Sequence, residues 1–205
     1  MRVISGTAKG RSLKAVPGMG TRPTTDKVKE AVFSIIGPYF EGGAVLDLFA
    51  GTGGLGIEAL SRGMEHGVFI DADRTSLEVV RHNLQTTRLE AQAEVYRNDA
   101  ERALKALAKR ERYFRLVFLD PPYRMKTIGE LMLSMHALGL LEEGATVVAE
   151  YDSGHRYEEA YGPFHEVRKA VYGDTAVSVY RYESGVQEQP VNEGRTEETD
   201  ETDQA

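Results

Sequence analysis

Cysteine and tryptophan are absent from the 205 residues. Without cysteine there is no disulfide framework and no thiolate metal site, so a packed core must hold the fold. The same absence fits a reducing compartment. No apolar run approaches the roughly 20 residues that a membrane-spanning helix needs. The opening Met1-Arg2-Val3-Ile4-Ser5-Gly6 lacks the apolar segment of a signal peptide. Together these absences predict a cytoplasmic protein with no membrane partner. The five histidines, His66, His82, His136, His155 and His165, show no ligand spacing, and no metal is expected.

What is present is unevenly charged. The net charge of −7 hides a basic head and an acidic tail. Residues 1–29 hold seven Lys or Arg and one Asp, whereas residues 183–205 hold eight acids and one Arg. A basic head suits a phosphate polymer. The tail has almost nothing apolar to bury and is expected to be disordered. The division expected is a basic N-terminal β-hairpin extension over 1–20, a main domain over 21–182, and the tail over 183–205.

The chain is organised around residues 44–56. Val45, Leu46, Leu48 and Phe49, interrupted by Asp47, read as a strand buried on both faces of a parallel sheet. Gly51, Gly53, Gly54 and Gly56 follow, then a helix with Leu55, Ala59 and Leu60. A strand, a glycine turn and a helix predict a nucleotide-like cofactor at the carboxyl end of a first strand. Gly51, Gly53 and Gly56 fit the dinucleotide spacing, and Asp71 lies where a ribose-binding acid is expected. At this point NAD remains open.

Around that stretch, Arg2–Ile4 and Arg11–Val16 read as a β-hairpin displaying Lys9, Arg11 and Lys14. A helix with Val28, Val32, Ile35 and Ile36 ends at Gly37-Pro38, capped by Thr24 or Thr25. Lys27 and Lys29, early in it, read equally as part of the phosphate-binding head and as a solvated face. Strands at 68–70, 93–97, 116–119 and 146–150 then alternate with helices. Residues 167–172 and 176–182 flank Gly173-Asp174 as a closing hairpin. The expectation is an α/β fold with a seven-stranded, mostly parallel sheet, helices on both faces and an antiparallel last strand.

The second informative stretch is Asp120-Pro121-Pro122-Tyr123, directly after a buried strand. Two prolines fix the backbone and remove two N–H donors. What remains is the Asp120 carboxylate, the Pro121 carbonyl and the flat face of Tyr123. Such a site suits a planar group bearing an amine. Two acceptors stabilise the positive charge that develops when that amine attacks a methyl donor, and the ring holds it in line.

With Asp47-x-Phe49-Ala50-Gly51-Thr52-Gly53, this motif resembles the S-adenosylmethionine-dependent amino-methyltransferases. Ser5-Gly6-Thr7-Ala8-Lys9-Gly10-Arg11, Arg22-Pro23-Thr24, Asp26-Lys27-Val28-Lys29-Glu30 and Tyr172-Gly173-Asp174-Thr175 narrow the resemblance. They are similar to the bacterial RsmD family, which methylates N2 of a guanine in 16S rRNA. The resemblance spans residues 1 to about 182 and implies a Rossmann-like methyltransferase fold with S-adenosyl-L-methionine as cofactor.

It also implies roles. Gly51 and Gly53 approach the methionine part of the cofactor, with Asp47 near its amino group and Phe49 in the same motif. Asp71 takes the ribose hydroxyls, where many relatives carry Glu. Asp99, next to Ala100, bonds the adenine amine. Asp120, Pro121, Pro122 and Tyr123 form the catalytic set, with Asp120 also facing the cofactor. Lys9, Arg11, Lys14 and Arg22 contact rRNA phosphates, and the target base is flipped out to reach Tyr123. The implied partner is the 30S subunit or an assembly intermediate, met by a monomer. An adenine-N6 methyltransferase of DNA or RNA, an NAD dehydrogenase, and a non-catalytic RNA-binding assembly factor are the alternatives.

Overall fold

Alternating short apolar runs and amphipathic stretches build a sheet covered on both faces. The computed structural model describes residues 1–17, 26–122 and 127–185. The elements, in chain order, are α1 (Asp26–Ile36), β1 (Ala44–Asp47), α2 (Gly54–Ser61), β2 (His66–Asp71), α3 (Arg74–Thr87), β3 (Ala93–Arg97), α4 (Ala100–Ala108), β4 (Phe114–Leu119), α5 (Ile128–Ala137), β5 (Leu141–Asp152), β6 (Ala160–Tyr161), β7 (Phe164–Tyr172) and β8 (Thr175–Tyr182). The strands form one sheet in the order β3-β2-β1-β4-β5-β8-β7-β6.

The first five positions are parallel, and β6, β7 and β8 join antiparallel. From β1 the chain steps outward to β2 and β3, then returns to place β4 on the other side of β1. The order therefore reverses between β1 and β4, and ligands of open α/β sheets bind outside the carboxyl ends of the strands at such a point. The eighth strand beyond the seven expected is β6. Its two residues are too few for any period-two signal. The expected turn at Gly173-Asp174 does join β7 to β8, with Tyr172 opposite Thr175.

Strand alternation divides the core in two. Leu46, Leu48, Val68, Val117, Leu119, Val147 and Ala149 meet α4 and α5. Val45, Phe69, Leu116, Phe118, Val148, Val177 and Val179 meet α1, α2 and α3. Leu46 and Val117 are buried on one face, and Val45 and Phe118 on the other, so the central strands read as continuous apolar runs.

Within residues 1–17, where the β-hairpin is expected, a single antiparallel bridge joins Arg2 and Ser12. Val3, Ala8 and Leu13 belong to the core face of α1–α3. Glu58 of α2, fully buried, fastens the segment down. Its carboxylate accepts the Ile4 and Ser5 N–H groups at 2.9 and 3.0 Å, and it pairs with Lys29 at 3.1 Å and Arg62 at 2.7 Å. Lys29 is thus not on a solvated face. It is 0% exposed, and its ammonium also donates to the Arg2 carbonyl at 2.5 Å. Burial lowers its pKa, with Glu58 opposing. The expected Thr24 or Thr25 cap of α1, and the acidic tail beyond residue 185, lie outside the described residues.

Candidate active site

The turn after β1 is shaped by glycine at two kinds of position. Gly51 and Gly53 have φ of 53° and 74°, with Gly53 preceding α2. This left-handed region costs a side-chain-bearing residue roughly 1–2 kcal/mol. Gly56 serves close packing instead. A Cβ there would come within 2.4 Å of the Phe69 ring, so only glycine lets α2 lie flush against β2.

Asp47 decides what the turn can hold. In a dinucleotide fold the pyrophosphate sits at the first N–H groups of the helix after the turn. Here the Asp47 carboxylate accepts the Gly56 N–H at 3.1 Å. An internal carboxyl group therefore already takes one of the N–H groups at the helix start. Asp47 is 4% exposed. Burial pushes its pKa up to about 7, opposed by the Gly56 bond and assisted by the charge of Asp71.

Asp71, at the end of β2, is partly committed as well. Its two oxygens accept from the Gly51 and Asp73 N–H groups, both at 2.8 Å. Each oxygen keeps a lone pair for a hydroxyl donor. Asp120 follows β4 beside the switch point and keeps a solvent-exposed surface. Loss of hydration, then the charges of Glu150 and Asp47, hold its pKa well above the ordinary value.

Acids thus stand at the carboxyl ends of three adjacent strands, in the order Asp71 (β2), Asp47 (β1) and Asp120, directly after β4. Carboxyl oxygens at this edge accept hydrogen bonds, whereas a pyrophosphate needs donors. A ligand carrying sulfonium and ammonium charges would be attracted, and the residues present fit S-adenosylmethionine rather than NAD.

The remaining expected residues distribute as follows. Phe49 and Ala100 are half-buried and pack on the α4–α5 face of the core. Asp99 caps α4, accepting the Arg102 N–H at 2.9 Å and pairing with its guanidinium at 3.2 Å. Its exposed carboxylate leaves acceptor capacity over. Pro121 is buried and Pro122 exposed. Tyr123 and Arg22 lie outside the described residues. Lys9 and Lys14 are exposed, whereas Arg11 is half-buried and donates to the Thr86 carbonyl at 2.6 Å. The basic segment adjoins the glycine turn through Asn83 of α3. Its amide bonds the Lys14 carbonyl at 3.0 Å and the Thr52 carbonyl at 2.9 Å, and its oxygen accepts the Lys14 N–H at 2.7 Å.

A protein family described as Conserved hypothetical protein 95 matches residues 1–181. The chain belongs to this family. YlbH of Bacillus subtilis, provisionally named an rRNA methyltransferase, is 56% identical over 181 residues, covering 88% of this chain and 98% of YlbH. Ribosomal RNA small subunit methyltransferase D of Escherichia coli is 31% identical over 184 residues, covering 90% and 91%. The solved structure of yhhF of Escherichia coli, provisionally named a methyltransferase, superposes with a TM-score of 0.75. It is 31% identical and covers 90% of this chain and 98% of its own. The family match takes in the N-terminal segment and all strands but the last residue of β8.

Glu58, Lys29, Asn83 and Glu150 were missed in the sequence. For Glu150 no strand-end signal existed, since β5 runs on past it to Asp152. A cavity of about 300 Å³ lies at the opposite sheet edge, lined by Arg115, Thr146 and Arg181 among others, and shares no residue with the acidic edge.

Proposed function

We propose that this protein methylates the N2 amine of a guanine in 16S rRNA within the small ribosomal subunit or an assembly intermediate, in the cytoplasm and as a monomer. Family membership supports rRNA methylation as the activity and S-adenosylmethionine as the cofactor. The observation that carries the chemistry is Asp120-Pro121 at the β1/β4 switch point, next to a turn whose helix start already has one N–H group taken by Asp47. When bound, the cofactor supplies an electrophilic sulfonium methyl.

The chain's own residues supply position and charge. Gly51 and Gly53 leave room at the turn, Asp47 meets the cofactor's amino group, Asp71 its ribose and Asp99 its adenine, with Phe49 and Ala100 beside them. Asp120 and the Pro121 carbonyl accept the hydrogens of the target amine and stabilise its developing positive charge. Pro122 stiffens the turn and Tyr123 stacks on the base. Lys9, Arg11, Lys14 and Arg22 hold rRNA phosphates. So small a basic surface positions a substrate without reading sequence, which is why a folded particle is the substrate.

Two further observations support the remaining parts. No helix among the described residues is long and apolar enough to cross a membrane. The exposed large hydrophobics among them, Tyr39, Tyr113, Leu133, Val167 and Val171, are spread over two loops, α5 and β7. That is not the contiguous patch of an obligate dimer.

The test is transfer of labelled methyl to 30S particles from cells lacking this gene, with nucleoside analysis and Asp120→Ala alongside. Label is expected in N2-methylguanosine, reduced about a hundredfold or more in the variant. Label in N6-methyladenosine would install the adenine alternative, and equal methylation of bare 16S rRNA would remove the particle requirement.

A further inference from the structure

We infer that Glu150 selects guanine at this site, by accepting the N1–H that lies beside the amine to be methylated. The inference rests on the guanine-N2 reading above and adds the residue that distinguishes the base. The location is fixed by the switch point and the Asp120-Pro121 turn rather than by acidity. β4 and β5 run parallel with Leu119 opposite Ala149, so Asp120 and Glu150 are the next step on each strand. Val148, two residues before Glu150, and Val177, its partner on β8, both belong to the α1–α3 face. Glu150 therefore shares a face with Asp47, where α2 and its glycine turn lie. The Glu150 charge is close enough to be the largest neighbouring influence on the Asp120 carboxyl. At 8% exposure, Glu150 is an acceptor set in place by its strand.

Asp120 and the Pro121 carbonyl alone do not separate guanine from adenine. Both bases carry an exocyclic amine, and both amines offer two hydrogens. The ring atom beside the amine differs. Next to N2 of guanine, N1 bears a hydrogen. Next to N6 of adenine, N1 bears a lone pair. A carboxylate beside Asp120 accepts from the first and repels the second. A polar site built for a donor rejects a base that lacks it far more strongly than an apolar pocket rejects a change of size. Drawing on N1–H also pushes ring electron density toward N2, the attacking atom.

The test uses reconstituted 30S particles carrying either guanine or 2-aminopurine at the mapped target position. The analogue keeps the N2 amine and lacks N1–H. Unaltered protein is expected to prefer guanine in kcat/KM by about a hundredfold or more. In Glu150→Gln the amide can donate to the analogue's N1, and the preference is expected to fall at least about tenfold, with S-adenosylmethionine affinity unchanged. Glu150→Asp, which withdraws the carboxylate by one methylene, is expected to narrow the preference less and answers the question if the Gln variant does not fold. A preference unchanged in both variants overturns the inference, and so does a loss of cofactor affinity in Glu150→Gln. Failure of the unaltered protein to methylate guanine particles is a separate outcome, which overturns the guanine-N2 reading itself and this inference with it.

Discussion

Under the proposed function, Asp47 is the residue at which stability and ligand binding meet. Its folded-state pKa of about 7 lies above the ordinary 3.8, so the folded protein holds this proton more tightly than the unfolded chain. The sign follows: stability of the free protein falls as pH rises from near 4 to near 7, by roughly 4 kcal/mol at most. Asp47→Asn keeps an acceptor for the Gly56 N–H without the buried charge. Urea denaturation is expected to find this variant more stable than the unaltered protein above about pH 8, and the two nearly equal near pH 4. Cofactor affinity should move the other way. A cationic ligand favours ionised Asp47, so S-adenosylmethionine binding to the unaltered protein should strengthen as pH rises toward 7, releasing a proton on binding. In Asp47→Asn affinity should be weaker and flat. Calorimetry in buffers of different ionisation heat reads both effects, and equal proton release by the two proteins would remove Asp47 from the linkage.

At the scale of elements, two packing arrangements hold the site's frame. Gly56 sets the distance between α2 and β2. Gly56→Ala would drive a methyl into the Phe69 ring at 2.4 Å, an overpacking worth about 1–3 kcal/mol. The expected result is a lower urea midpoint together with weaker cofactor binding, because the same displacement moves the turn. Glu58 ties the N-terminal segment to α1 and α2 through four partners. Glu58→Ala would leave Lys29 and Arg62 buried without their counter-charge, at a cost of about 3–5 kcal/mol. Limited proteolysis should then cut within residues 1–17 before the rest of the domain. Protection equal to that of the unaltered protein would show that the apolar side chains of Val3, Ala8 and Leu13 suffice to hold the segment.

At the scale of the whole molecule, the charges are sorted by place. Acids gather at the carboxyl edge of the sheet, where a cation is drawn in, and exposed Lys9 and Lys14 stand on the segment bonded through Asn83 to the glycine turn. Under the proposed function, a phosphate backbone is met beside the acidic edge and not within it. Replacing Lys9 and Lys14 by alanine should weaken binding to small-subunit particles and lower the salt slope by about one for each phosphate no longer neutralised. Affinity for S-adenosylmethionine should not change. A salt slope equal to that of the unaltered protein would place the RNA-binding surface elsewhere.

The sequence by itself determined the α/β alternation, the closing hairpin at Gly173-Asp174 and the two strand-end stretches that mark the site. Each is a local signal: an apolar run, a glycine cluster, a proline pair. It left NAD and S-adenosylmethionine both open on the glycine spacing, because that spacing describes a turn and not the charge around it. Asp120-Pro121-Pro122-Tyr123, further along the chain, pointed to S-adenosylmethionine, and tertiary structure added a physical reason by setting Asp47 against the start of α2 between Asp71 and Asp120. It also placed Lys29, read equally as phosphate-binding and as solvated, in a buried pair with Glu58, 29 positions away in sequence. Glu150 became part of the site only through the pairing of β4 with β5. Burial of a charge and the neighbourhood of two strand ends depend on which distant segments pack together, and no local pattern carries that information.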